Sequence, residues 1–121
     1  MAADQGDTNA IYNLGVMFIN GQGVPQNYEK TFELFTRAAY KGSPQAAYGL
    51  GILYAKGWGT PVDDIKAYAW FKIASETPTS DKQNKYLATF EKAKTLLPKK
   101  QIKEAETVAE QLKKDINIHT H

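Results

Sequence analysis

Few residues of this 121-residue chain could carry out chemistry. His119 and His121 form an H-x-H pair that could bind a metal ion, but they lie in a terminal tail with no third ligand nearby in the sequence. Asp63 and Asp64 could act as a carboxylate pair, although helix capping is the simpler explanation for them. Both histidines lie in the tail, so no Ser/His/Asp set is available, and the absence of cysteine removes that nucleophile and thiolate metal sites. We therefore expect no enzyme activity, no metal and no cofactor.

The motif Gly-x-Gly-x-Pro occurs twice and could form a phosphate-binding loop. A dinucleotide-binding loop follows a strand and has a third glycine three places on. Here a helical pattern precedes the motif, and Gln26 or Val62 occupies that third place. The alternative is that Gly21 and Gly57 end a helix in the left-handed conformation that glycine adopts most easily. This alternative is favoured, and the glycines predicted to form structural loops are Gly21, Gly23, Gly57 and Gly59.

The two motifs belong to a tandem repeat. When the chain is shifted by 36 residues, the distance from Gly21 to Gly57, many other identical residues coincide without a gap. Such self-similarity is the signature of repeat architectures. The coinciding pairs include Ala10 with Ala46, Tyr12 with Tyr48, Leu14 with Leu50, Lys30 with Lys66 and Phe35 with Phe71.

Each repeat unit is predicted to form two helices. Asp7 and Ser43 occupy equivalent places and are suitable N-caps for the first helix of each unit. Apolar residues then recur at helical spacing. Gly15 and Gly51 each weaken that helix by roughly 1 kcal/mol relative to alanine, so we expect close approach of the partner helix there. The predicted helices span residues 8–20, 28–41, 44–56, 64–76, 81–96 and 99–116.

The pattern A-x-x-x-L-G-x-x-Y/F-x-x-G-x-G-V/T-P-x-N/D, found twice within residues 2–75, resembles the Sel-one-like repeat (SLR) family. These proteins are relatives of the tetratricopeptide repeats. The resemblance implies an all-α fold, a right-handed α/α superhelix or solenoid, in which each unit contacts mainly its neighbours. Family members are mostly non-catalytic adaptors that dock other proteins. Thr31 and Thr60 are mild departures from the usual alanine and valine.

One cysteine-rich SLR branch is linked to penicillin binding or β-lactam hydrolysis. A cell-envelope hydrolase is therefore the alternative function, and hydrolysis of nitrocefin would reveal it. The absence of cysteine disfavours this alternative. The resemblance somewhat favours a bacterial envelope or secreted location, although the sequence carries no signal that decides it.

We interpret residues 1–121 as one solenoid domain of two SLR helix pairs and a C-terminal capping helix pair. Its N-terminal residues resemble the last turn of a helix whose beginning is absent. The predicted parts are the end of a truncated preceding repeat (1–6), repeat 1 (7–42), repeat 2 (43–78), the cap (79–116) and a tail (117–121).

The expected partner is a protein or a peptide. The net charge is only +2, and the lysines of residues 82–114 alternate with acids, which disfavours nucleic-acid binding. No segment approaches the ~18 consecutive apolar residues of a membrane span, so membrane insertion is not expected. Weak self-association is expected through a partly covered face of the first helix pair that includes Tyr12, Tyr28 and Phe32.

The binding surface is predicted on the concave side, which the first helix of each unit lines in tetratricopeptide-like repeats. Ala10, Leu14 and Phe18 are expected to point inward, which leaves a neighbouring stripe of amides and tyrosines for a peptide. Packing of Tyr12 and Tyr48 between units is an equally good interpretation, and Trp58 could be an exposed anchor or an interunit packing residue. The predicted concave-face residues are Asn9, Tyr12, Asn13, Val16, Asn20, Gln45, Tyr48, Ile52 and Lys56.

Overall fold

The computed structural model describes residues 2–76 and 83–120, with side chains for residues 8–76 and 85–116. These residues form an all-α solenoid and contain no strand, which confirms the predicted fold class. Its six helices are α1 (Ala2–Asn20), α2 (Tyr28–Tyr40), α3 (Pro44–Lys56), α4 (Asp64–Glu76), α5 (Gln83–Leu96) and α6 (Lys99–Thr120).

The start of α1 differs from the prediction. The helix passes through Asp7 without a break, so Asp7 is not its N-cap, and residues 2–6 do not end a separate helix. In the second unit Pro44 enforces a break and Gly42 adopts φ 98° just before it. The first unit has Thr8 in place of Pro44, and threonine can continue a helix. The assignment of residues 1–6 to a preceding repeat stays a prediction.

The end of α6 also differs from the prediction. The helix continues to Thr120, four residues beyond the expected end at residue 116, so the backbone of the predicted tail is helical up to that residue. The reason is that no glycine or proline follows Lys99 to stop the helix. The side chain of His119 and all of His121 lie outside the described residues, as does the predicted start of α5 at residue 81.

The two Gly-x-Gly loops have nearly the same conformation. Gly21 and Gly57 have φ 67° and 71°, and Gly23 and Gly59 both have φ 76°. These values lie in the left-handed region that glycine enters without a steric penalty. In the second loop the N–H groups of Gly57 and Trp58 both donate to the carbonyl of Leu53, at 2.8 and 3.0 Å. The predicted role of the glycines in ending helices and turning the chain is confirmed.

The helix caps after these loops also repeat. Asn27 accepts a hydrogen bond from the N–H of Lys30, and Asp63 accepts one from the N–H of Lys66, both at 3.0 Å. The Ser43 hydroxyl accepts one from the N–H of Ala46 at 3.1 Å. Each cap satisfies a first-turn N–H that has no partner within its helix.

Aromatic rings packed against glycines join the helices of the solenoid. A methyl group on Gly15 would lie 2.7 Å from Cε1 of Phe35, and one on Gly49 would lie 2.6 Å from Cε2 of the same ring. Gly51 meets Phe71 in the same way. The close approach predicted at Gly15 and Gly51 is therefore confirmed. Because Gly49 belongs to the next unit, Phe35 also holds the two units together.

Candidate functional site

The first helix of each helix pair, namely α1, α3 and α5, contributes a tyrosine to one side of the solenoid. We call this side the first-helix face. The ring centroids of Tyr48 and Tyr86 lie 4.8 Å apart, and Tyr12 stacks on Phe35 at 5.1 Å. Burial raises the pKa of Tyr86, and the phenols of Tyr12 and Tyr48 raise it further. The three tyrosines therefore lie near one another across three helices.

The predicted tyrosines of this face pack between helices rather than projecting freely. Burial raises the pKa of Tyr12, which is half-buried beside Phe35. The Tyr48 hydroxyl lies 3.4 Å from Oγ1 of Thr89 on α5. Both rings thus contribute to packing and also offer one edge to the surface.

The amides of α1 lie at the surface. Asn9, Asn13 and Asn20 are exposed, whereas Gln45 on α3 is half-buried and its Oε1 accepts a hydrogen bond from Ser43 at 3.3 Å. The other predicted residues are Val16 and Ile52, which are half-buried against the core, and Lys56, which is exposed. The first-helix face therefore combines free amides with partly covered apolar groups.

Three residues of α5 that the sequence did not indicate also belong to this face. Tyr86 contacts Tyr48, Thr89 lies within hydrogen-bonding distance of it, and Nζ of Lys85 lies 5.2 Å above its ring. Tyr86 follows Tyr48 by 38 residues instead of 36. The 36-residue spacing of the repeat therefore does not point to Tyr86.

Trp58 packs between units and is not a free anchor. Its ring stacks on Tyr28 of the preceding unit, with centroids 5.3 Å apart and planes at 8°. Nζ of Lys56 lies 5.4 Å from the same ring. The carbonyl of Tyr28 also lies where a side chain on Gly59 would be. The second Gly-x-Gly loop is therefore fixed against the start of α2.

The predicted face of the first helix pair is partly covered, since Tyr12, Tyr28 and Phe32 are each half-buried. Tyr12 stacks on Phe35, Tyr28 on Trp58, and Phe32 meets Tyr54 edge to face at 5.4 Å. All three side chains have aromatic neighbours because they lie on sides of the helices that face the rest of the solenoid.

The outer side of α1 is more exposed, and we call it the α1 outer face. Leu14 is 38% exposed, whereas its equivalent Leu50 is 1% exposed. Met17 is 37% exposed, whereas its equivalent Leu53 is fully buried. Ala10 is exposed as well, whereas Phe18 is half-buried, so the expectation that these residues point into the core is wrong for Ala10 and Leu14. The reason is that α2 covers this side of α3, and no described helix does the same for α1.

A buried phenol connects the cap to the second unit. Tyr68 on α4 donates a hydrogen bond to the carboxylate of Glu106 on α6 at 3.3 Å. Burial and then the charge of Glu106 raise the pKa of Tyr68 to about 12. The high pKa keeps this phenol neutral, so that it remains a hydrogen-bond donor to Glu106.

The described residues lack two features, a cluster of metal ligands and a membrane-spanning helix. Among the residues whose side chains are described, 8–76 and 85–116, no group of three or more histidine or acidic side chains could hold a metal ion. None of the helices in that part of the chain combines the length and the apolar character needed to cross a membrane.

The repeat geometry is matched by known proteins. The pattern of the Sel1 repeat matches residues 8–43 and 44–76. The chain belongs to the Sel1 repeat family. The two matched segments divide at Ser43 and Pro44, where the structure places the cap and first residue of α3. Sel1 repeats form helical repeat modules that commonly mediate protein interactions, typically as non-catalytic scaffolds.

A solved structure shares the fold. The protective antigen c5321, present in uropathogenic Escherichia coli strains and displaying an SLR fold, superimposes with a TM-score of 0.83 at 30% sequence identity. The superposition covers 95% of this chain and 24% of that one. This Sel1-repeat chain therefore spans about a quarter of the antigen's length. No curated protein matches it in sequence.

Proposed function

We propose that this Sel1-repeat chain is a non-catalytic interaction module that binds a protein or peptide on its first-helix face. The observation that carries this proposal is the row of exposed amides Asn9, Asn13 and Asn20 beside the partly covered ring of Tyr12. A surface of this composition suits an extended peptide. Amides form hydrogen bonds with its backbone, and aromatic rings cover its side chains.

The packing of the tyrosines supports a prepared surface. Tyr12 is held against Phe35, and Tyr48 is held by Tyr86 and Thr89. Side chains already fixed by their neighbours lose little conformational entropy when a ligand binds. The amides supply adaptable hydrogen bonding, while the rings supply a rigid apolar contact.

The experiment places a large charged group on the amide row. We expect Asn13→Arg to remove partners captured from a lysate of the source organism while the thermal melting curve stays unchanged. Gln101→Arg is the control, because Gln101 is also exposed but lies on α6. Retention of every partner by Asn13→Arg would contradict binding at this face.

We also propose weak self-association of the chain through the α1 outer face. Exposed Leu14 and Met17 lie where the equivalent residues of α3 are covered by another helix. When a second copy covers an apolar side of a helix that was open to water, the free energy falls, and association is favoured.

A further inference from the structure

One stretch of the chain has a strong excess of positive charge. Residues 92–103, which form the end of α5, the turn and the start of α6, contain five lysines and no acidic residue. The net charge of the whole chain is only +2, so the rest of the chain is acidic on balance. We call this stretch the α5–α6 tip. Its lysines are Lys92, Lys94, Lys99, Lys100 and Lys103.

The lysines of the α5–α6 tip are open to solvent. All five are exposed, and among the described residues none of them forms an ion pair. Lys113, farther along α6, shows the contrast, because it contacts both Glu76 and Glu110. The positive charge of the tip is therefore available to an anionic partner.

Acidic residues at the border of the tip only partly offset this charge. Glu91 and Glu104 adjoin the tip in the sequence. The carboxylate of Glu91 acts on Tyr68, whose pKa it helps to raise. Asp64, at the start of α4, lines a cavity of about 180 Å³ together with Lys92. Three bordering carboxylates against five ammonium groups leave this end of the molecule positive.

An apolar side chain projects from the middle of the tip. Leu96 is 74% exposed, more than any other described large hydrophobic residue. Val62, in the loop before α4, is 60% exposed. Asp64 follows Val62 by two residues and lines the same cavity as Leu96, so this loop and the tip lie at the same end of the solenoid. That end therefore combines exposed apolar groups with an excess of lysines.

The lysines at the start of α6 do not stabilise that helix. The N-terminal end of a helix has a partial positive charge, so acidic residues are favourable in its first turn. The first turn of α6 contains Lys99 and Lys100 and no acidic residue. A choice of residues that opposes local stability is expected where a sequence serves a function.

The lysines surround the tip and do not form a row. Lys92 and Lys94 are two residues apart, so their side chains leave α5 in directions about 200° apart. A peptide in a groove would contact one side of α5, whereas a plane across the tip lies near both sides. Each lysine is at most six residues from Pro98, which is about 9 Å along a helix. Flexible lysine side chains shorten that distance, so every ammonium group can come within the Debye length of about 8 Å.

We propose that the α5–α6 tip binds to a membrane surface that is rich in anionic lipids. This surface is separate from the first-helix face, and the proposal does not depend on binding there. The lysines are attracted to the anionic headgroups, and Leu96 enters the boundary between headgroups and acyl chains. The contact is peripheral and requires no membrane-spanning helix.

The choice of lysine favours a lipid surface over a nucleic acid. Arginine has a planar group that binds phosphate through two hydrogen bonds and is preferred in nucleic-acid recognition. Lysine is a compact, hydrated point charge, which suits the diffuse charge of a headgroup layer. All five basic residues of the tip are lysines.

Vesicles of defined composition test the proposal. The full chain is sedimented with phosphatidylcholine vesicles that contain about 30% phosphatidylglycerol, and with vesicles of phosphatidylcholine alone. We expect binding to the anionic vesicles only. Raising the salt concentration from about 0.15 M to about 0.5 M should weaken this binding about tenfold, because the Debye length falls.

Charge variants test the role of the lysines. Each lysine near an anionic surface increases the affinity about fivefold, so Lys99→Gln combined with Lys100→Gln should weaken binding about 25-fold. The matched control is Lys41→Gln combined with Lys114→Gln, which changes the net charge equally at exposed residues outside the tip. We expect the control to retain its binding. Unchanged melting curves show that both variants are folded.

A leucine variant tests the apolar contact. Leu96→Gln should weaken binding to the anionic vesicles about tenfold, because this side chain no longer leaves water for the acyl chains. Leu87→Gln is the control, since Leu87 is also exposed on α5 but lies outside the tip. Its binding should equal that of the wild type.

A fluorescent probe locates the contact. The chain has no cysteine, so Thr95→Cys supplies a single thiol for an environment-sensitive dye beside Leu96. Thr107→Cys is the matched control, because both threonines are exposed and donate a hydrogen bond to a carbonyl of their own helix. We expect anionic vesicles to shift the emission of the dye to the blue at position 95 and to leave it unchanged at position 107.

Three results would overturn the proposal. Absence of binding to the anionic vesicles, or equal binding to the neutral ones, would exclude an anionic lipid surface. Equal losses in the tip variants and their controls would exclude the tip as the contact. A peptide of glutamates that shifts the nitrogen-15 amide signals of residues 92–103, with no binding of vesicles, would identify an acidic protein segment as the partner instead.

Discussion

The ring of Phe35 occupies the space in which Gly49 would carry a side chain. A methyl group there would lie 2.6 Å from Cε2 of the ring. Gly15 of the same repeat meets the opposite side of that ring at a similar distance, so Phe35 packs between two repeat units. The ring and the glycine together determine how closely α2 approaches α3.

Gly49→Ala should destabilise the chain through this contact. Overpacking typically costs about 1–3 kcal/mol, and the higher helix propensity of alanine offsets about 1 kcal/mol of that. We therefore expect a net loss of about 1 kcal/mol in the free energy of unfolding, measured in urea. In a Phe35→Leu background the same change should be neutral or stabilising. An equal loss in both backgrounds would show that the ring is not the cause.

Gly59→Ala and Gly23→Ala form a matched pair. Both glycines have φ 76°, so the conformational penalty of alanine is about 1 kcal/mol in each case. A methyl group on Gly59 collides with the backbone of Tyr28, whereas one on Gly23 has only Cε of Met17 at 3.9 Å. We expect Gly59→Ala to lower the free energy of unfolding by about 1–3 kcal/mol more than Gly23→Ala does. Equal losses would mean that this loop does not contribute to packing between the units.

The α1 outer face provides a test of self-association. Leu14→Glu combined with Met17→Glu should remove concentration-dependent association in analytical ultracentrifugation, because a second copy would have to bury both charges. Leu87→Glu is the control, since Leu87 is 45% exposed on α5. A strictly monomeric wild-type chain at millimolar concentration would contradict the proposed contact.

Tyr68 should make stability depend on alkaline pH. Its pKa is about 12 in the folded chain and 10.0 when unperturbed, so the unfolded chain loses this proton first. The contribution of Tyr68 is therefore complete below pH 10 and is lost as the pH rises toward 12. Tyr68→Phe removes the hydrogen bond to Glu106, so its free energy of unfolding at pH 8 should be about 1 kcal/mol lower. Between pH 10 and 12, however, the free energy of unfolding of the variant should fall less than that of the wild type. If the free energies of unfolding of the two proteins, measured in urea, fell in parallel over this pH range, the raised pKa of Tyr68 would be contradicted.

Features that depend on local chemistry were predictable from the sequence. The side chains of Asn27, Ser43 and Asp63 are suited to capping the start of a helix. The glycines that end helices are suited to that place because they have no side chain. Their recurrence at 36 residues then indicated the fold. The start of α1 was not predictable in this way, because Thr8 is compatible both with a helix start and with a continuing helix.

Features that depend on neighbouring helices were harder to predict. Leu14 and Leu50 have the same place in the repeat, yet one is exposed and the other buried, because burial depends on what packs against the helix. The contact of Tyr86 with Tyr48 was missed because Tyr86 stands 38 residues after it, outside the 36-residue spacing of the repeat. The cavity lined by Ala55, Phe71 and Ala93 results from three helices together and has no signal in any one of them.

Photo-crosslinking from the first-helix face tests the central claim most directly. A photoreactive amino acid at Asn13 would be activated in a lysate of the source organism, with the same amino acid at Gln101 on α6 as the control. Both residues are exposed on helices, so substitution should leave the fold intact. Binding on the first-helix face predicts a discrete crosslinked protein from Asn13 and none from Gln101. Crosslinks from Gln101 alone, or the same products from both positions, would contradict it.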